Sequence, residues 1–164
     1  MEVGDWDGPV LRQVDMWAAG QWLTCDDNTA YVPQFRRSIA QTADWLRSGC
    51  GGPPLGGLPA AAAHRQLRAG RRREEVDDEL WGLYSVIHYW GWGETTDNVM
   101  SFLFRDGERL EITFEFWREQ HLLAHPEHAG IVFTVEIEAA ELVQILDDLT
   151  AALDQPSDHG ARPA

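Results

Sequence analysis

Two runs of alternating apolar and polar residues, at positions 99–105 and 108–117, are the strongest local signal in the chain. A period of two puts successive side chains on opposite faces of a strand, so both runs read as half-buried β-strands. Asp106-Gly107 between them marks a hairpin turn. Met100, Phe102 and Phe104 form one apolar set, and Leu110, Ile112, Phe114 and Phe116 the other. If one face is dry and the other wet, the two sets must meet, which selects a register. A two-residue Asp-Gly loop opposes Phe102 to Glu111. A three-residue loop, Arg105-Asp106-Gly107, instead pairs Phe104 with Glu108, Phe102 with Leu110 and Met100 with Ile112. Gly107 then adopts the left-handed conformation as a bulge. On that register Ser101, Glu111, Thr113 and Glu115 line the wetter face.

The alternation resumes as Ile131, Phe133, Val135 and Ile137, which predicts another half-buried strand. Leu142, Ile145, Leu146, Leu149 and Leu153 then make a helical stripe, with Glu138 and Glu141 near the positive end of its dipole. Upstream, Pro33 suits the first turn of a helix whose face is Phe35, Ile39, Thr42/Ala43 and Leu46, ending at Gly49. Residues 14–24, with Met16, Trp17, Trp22 and Leu23 around Gly20, suggest a short strand pair or a bent strand. Residues 83–92 are almost uninterrupted in their apolarity and bracketed by Gly82, Gly91 and Gly93, as a buried central strand would be.

The Gly/Pro sequence at 49–59 defeats both regular structures. Residues 60–73 have helical propensity but no continuous apolar face, and they run into an acidic block. The span 49–79 therefore reads as a flexible insertion in a single domain, 1–154, followed by a disordered tail at 155–164. The predicted class is α+β: an antiparallel sheet of about four to five strands with helices packed on one face.

Composition alters the view of partners more than of fold. An apolar content of 44% with eight tryptophans is enough for a packed core at 164 residues. The formal charge is -14, from 27 carboxylates and thirteen arginines without a lysine, a pattern expected of a GC-rich coding sequence. Five of those arginines lie within residues 65–73, so the rest of the chain is more acidic still. Such a field repels nucleic acid and anionic lipid and attracts basic proteins. Glu2, Asp5 and Asp7 stand where a secretory signal needs basic residues, and no run approaches eighteen apolar residues. A cytoplasmic location without membrane attachment is the expectation.

Chemistry is sparsely signalled. His121, His125 and His128, with Glu119 and Glu127 among them, have spacing that suits metal ligation on a helix turn, although Pro126 disfavours helix at His125. They support an alternative reading as a metal-assisted hydrolase, with His88 as acid or base. Against it, a histidine-rich surface connection has the same composition. Asp26, Asp27, Asn28, Asp97 and Asn98 lack the spacing of a calcium loop and read as Asx-turn residues. Ser85 and Cys25 carry no nucleophile motif, so no catalytic residue is assigned and no cofactor is implied. Cys25 and Cys50 form no CxxC pair, and nothing supports a disulfide between them.

Trp81, Trp90, Trp92 and Trp117 gather around the β region, where aromatics fill cores and also form protein–protein hot spots. Trp117, Trp92, Glu111, Glu115 and Glu136 are the residues expected to carry binding. Charge, size and layout resemble those of bacterial immunity proteins and antitoxins, although no sequence motif of those families is present. The leading expectation is a non-enzymatic, acidic protein-binding module docking on a basic protein partner. Self-association into an oligomeric structural subunit through exposed tryptophans is the third reading.

Overall fold

In a computed structural model, residues 1–72 and 92–155 are described. Strands β1 (Glu2–Asp7) and β2 (Leu11–Asp15) form an antiparallel hairpin, and β5 (Thr29–Tyr31) pairs with the other edge of β2. Between them lies the short pair β3 (Trp17–Ala18) and β4 (Gln21–Trp22). Its turn holds Ala19 and Gly20 at φ 48° and 74°, the left-handed values that short hairpins require. The strand pair expected in this region is therefore present. β1 had no counterpart in the periodicity.

Helix α1 (Val32–Arg47) has Pro33 in its first turn and buries Phe35, Ile39, Ala43 and Leu46 at the predicted spacing. Helix α2 (Ala60–Arg72) follows the Gly/Pro connection. Strands β6 (Val99–Asp106), β7 (Arg109–Phe116) and β8 (Phe133–Glu138) build a three-stranded antiparallel sheet with β7 in the middle. The short helix α3 (Glu119–Ala124) lies in the β7–β8 connection, and α4 (Ala139–Leu153) follows β8 directly. α4 buries Leu142, Leu146, Leu149 and Leu153, as its stripe predicts. Mixed α+β architecture with antiparallel sheets holds. The strands divide among sheets of three, two and three, in place of one sheet of four or five.

Both faces of the β6–β7–β8 sheet are covered, which corrects the expectation of helices on one face. Val99, Leu103, Leu110, Ile112, Phe114 and Phe116 join α1, α4 and the first sheet in the main core. Phe102 and Phe104 point the other way, into a second cluster with Ala60, Ala63 and Leu67 of α2. α2 does possess an apolar face: Ala60, Ala63 and Leu67, with His64 beside them, recur at spacings of three and four and are buried. Small side chains and a histidine supply little hydrophobicity per residue, so the face was not visible as a stripe.

The same fact overturns the hairpin register. Phe102 faces Thr113, Leu103 faces Ile112 and Asp106 faces Arg109, so the turn residues are Gly107 and Glu108. Gly107 is left-handed at φ 60°, as expected, but no bulge shifts the pairing. The assumption of one wet face forced the apolar sets together. With a helix on each side, Phe102 and Phe104 need not share a face with Ile112 and Phe114.

The Gly/Pro connection is pinned to β6 through Gly52. Gly52 O accepts the backbone N–H of Arg105 at 2.8 Å, and the Arg105 guanidinium reaches back to the Leu46 carbonyl, also at 2.8 Å, near the C-terminus of α1. Gly51, at φ 110°, lies where a Cβ would meet the Arg105 side chain at 3.1 Å. The strand expected at 83–92, with Ser85, His88 and Trp90, lies outside the described residues except for Trp92, as does Trp81. So do residues 73–79 of the expected insertion and most of the predicted tail.

Because α2 closes the second face, Leu67→Ala should lower the free energy of unfolding by about 2–4 kcal/mol in urea titration. A helix lying loosely on the surface would give a change within error.

Candidate functional site

The residues expected to carry binding are scattered by the fold. Trp92 is 2% exposed, packs edge-on against Phe35 at 5.7 Å, and donates its indole N–H to Thr42 Oγ1 at 3.2 Å. Glu115 is also 2% exposed. Both are removed from any docking surface, because burial in the core or under α2 takes them out of reach of a partner. Glu111 and Glu136 straddle Arg109, whose guanidinium lies 3.7 Å and 2.6 Å from them, so one of their two charges is offset. Trp117 remains accessible, at 46%.

Glu115 instead anchors α2. Arg68 hydrogen-bonds one of its oxygens, and His64 Nε2 lies 3.5 Å from the other. His64 Nδ1 contacts the Thr113 hydroxyl at 2.9 Å, and that hydroxyl also donates to the Phe102 carbonyl at 3.4 Å. A buried carboxylate is tolerable only with such partners. One arginine of the basic run is thus consumed inside the fold.

The three histidines do converge. His121 is buried and stacks on Phe116, with centroids 4.1 Å apart, and His128 stacks on the same ring at 4.8 Å. His125 lies 4.9 Å from His121 and 5.4 Å from His128. As predicted from Pro126, His125 ends the helix, with φ −129° and ψ 69°. The three rings form a near-equilateral triangle in which His121 Nε2 meets His128 Nδ1 at 2.9 Å. Burial, with His121 beside it, pushes the His128 imidazole below its ordinary value, which favours the neutral ring.

The other nitrogen of His121 turns towards residues that spacing could not reveal. His121 Nδ1 lies 3.1 Å from Asp26 Oδ2 and 3.6 Å from Cys25 Sγ. Asn98, buried beside them, donates its amide to Asp26 Oδ2 at 2.8 Å. Among the described residues, the group of potential metal ligands whose donor atoms converge is Cys25, Asp26 and His121, and not the three histidines. Burial, followed by the charge of Asp26, pushes the Cys25 thiol up to about 11, so it is un-ionised at neutral pH. Asp27 behaves as the Asx residue expected, accepting the Thr29 N–H at 2.8 Å, whereas Asp26 does not cap a turn. Cys25 and Cys50 are both free.

Asp26 and Asn98 reach the wall of a cleft of about 230 Å³, lined also by Asp27, Glu94, Thr95, Asp97 and Arg118. Four carboxylates face a single guanidinium, which is held by Asp97 at 2.9 Å. A neighbouring hollow of about 480 Å³ shares Glu94, Thr95 and Asp97 and carries the exposed ring of Tyr31. Two accessible indoles belong to residues bonded to neighbouring segments. Trp117 donates its backbone N–H to the Asn98 carbonyl at 3.1 Å. Trp22, 44% exposed, donates its indole N–H to Asp15, which also accepts from Asn28 at 3.0 Å.

The chain matches no known family model, curated protein or solved structure. No helix among the described residues is long and apolar enough to cross a membrane.

Two outcomes check these assignments. Glu115→Ala should destabilise the fold by about 3 kcal/mol in chemical denaturation, because Arg68 and His64 lose their buried partner, whereas Glu136→Ala leaves stability unchanged within error. In metal-free protein at pH 8, iodoacetamide should label the exposed Cys50 and spare Cys25. Peptide mass spectrometry should show Cys25 labelling rise only as the pH approaches 11, since the thiolate is the reactive form. Equal labelling of the two at pH 8 contradicts the assignment.

Proposed function

We propose that the chain is a non-enzymatic binding module whose acidic cleft docks a basic segment of a protein partner, in the manner of an immunity protein or antitoxin. The observation that carries this reading is the concentration of Asp26, Asp27, Glu94 and Asp97 in one cleft. Carboxylates scattered evenly would supply only solubility. A concave anionic site focuses potential and speeds the capture of a cationic partner. Trp22, Trp117 and Tyr31 add rigid apolar area that contacts of charge alone lack.

The residues committed to docking therefore shift from the sheet to its end. Trp117 stays in the set, and Asp26, Asp27, Glu94 and Asp97 take the place of Glu111, Glu115 and Glu136. Arg118, paired to Asp97, fixes the position of one carboxylate.

An arginine-rich peptide tests the reading through tryptophan fluorescence. Binding should weaken as salt rises, and the combined substitutions Asp27→Asn, Glu94→Gln and Asp97→Asn should reduce affinity by about tenfold or more at low salt. Equal affinity of the triple variant and the native chain would refute the cleft as the docking site.

A further inference from the structure

We propose that Cys25, Asp26 and His121 form a binding site for one divalent ion of the zinc class. The three bring a sulfur, a carboxylate oxygen and an imidazole nitrogen to one point from segments far apart in the chain: the loop after β4 supplies two and α3 the third. Zinc accepts this mixed donor set, with bonds of about 2.3 Å to sulfur and about 2.0–2.2 Å to nitrogen and oxygen. At a tetrahedral angle those bonds require about 3.6 Å between sulfur and nitrogen, and about 3.4 Å between nitrogen and oxygen. The observed separations are 3.6 Å for Cys25 Sγ to His121 Nδ1, and 3.1 and 3.3 Å from that nitrogen to the two Asp26 oxygens.

Two further features belong to metal sites rather than to a hydrogen-bonded knot. His121 is 1% exposed and held rigidly against Phe116, and its Nε2 meets His128 Nδ1 at 2.9 Å. A proton on Nε2 donated to a neutral His128 frees the Nδ1 lone pair for an ion, the usual outer-shell support of a ligating histidine. Asn98 is 3% exposed, and its Oδ1 is buried without a hydrogen-bond partner. Its amide is aimed into the site, with Nδ2 2.8 Å from Asp26 Oδ2 and 3.7 Å from Cys25 Sγ. That donation orients the Asp26 carboxylate, whose Oδ1 lies 3.3 Å from His121 Nδ1, as outer-shell partners of metal ligands do. Asp26 and Asn98 both line the cleft, so the ion has a path in from solvent.

The site shares Asp26 with the docking cleft, but Cys25 and His121 lie outside the cleft lining, so the two readings can be tested separately. Full-length protein without a histidine tag, equilibrated with zinc and dialysed, should retain about one ion per chain by elemental analysis. Cobalt in place of zinc should give a thiolate charge-transfer band in the near ultraviolet. Cys25→Ala and His121→Phe should abolish retention and band, and Asp26→Asn should weaken zinc binding by about tenfold or more. Cys50→Ala, His125→Phe and the Asp27/Glu94/Asp97 triple variant should bind as the native chain does. Circular dichroism establishes that each variant folds, and should His121→Phe fail to fold, the exposed Asp26 decides through Asp26→Asn. Absence of stoichiometric zinc in the native chain, retention with the cobalt band intact in Cys25→Ala, or loss of zinc in His125→Phe would each overturn the assignment.

Discussion

Burial of β7 on both sides is the constraint from which the rest of the molecule follows. The central strand of a three-stranded sheet presents Ile112 and Phe114 to one core and Thr113 and Glu115 to the other side. A carboxylate in that position cannot be left alone, because desolvation of an unpaired charge outweighs the gain from packing around it. α2 is therefore required chemically as well as sterically: Leu67 and Ala63 seal Phe102 and Phe104, and Arg68 and His64 answer Glu115. The connection before α2, tied through Gly52 and Arg105, fixes how the helix approaches.

The parts of the fold that were legible in the chain are those with one dry side. α1, α4 and β8 each carry a single stripe against the main core, so period alone identified them, although β8 begins at Phe133 and leaves the expected Ile131 exposed outside it. The hairpin was found and its register was not, because Phe102, Phe104, Leu110 and Ile112 looked like one face when they belong to two cores. α2 was hidden for a related reason: alanines and a histidine make a tight interface without a hydrophobic peak. β1, with Gly4 and three acidic residues, has too little apolar character to announce a strand and exists through its pairing with β2.

The site divides in the same way. Spacing alone brought His121, His125 and His128 to notice, since they are neighbours in sequence. Asp26 and Cys25 lie 95 and 96 residues away from His121 and meet it only through tertiary structure. The stack of Phe116 on His121 and His128 links the two levels, because the strand that ends in Phe116 sets where α3 begins and so where the imidazole points. Trp117 and Asn98 are joined backbone to backbone across the same strand ends, and Asn98 lines the cleft.

The β3–β4 pair holds Trp17 and Trp22 directly opposite each other, with ring centroids 6.5 Å apart and planes inclined by 17°. Two indoles so close and so nearly parallel couple their electronic transitions, and the coupling vanishes once the strands separate. The chain thus carries a built-in chiroptical reporter at the edge of its N-terminal sheet, one that distinguishes local opening of this small hairpin from melting of the helices.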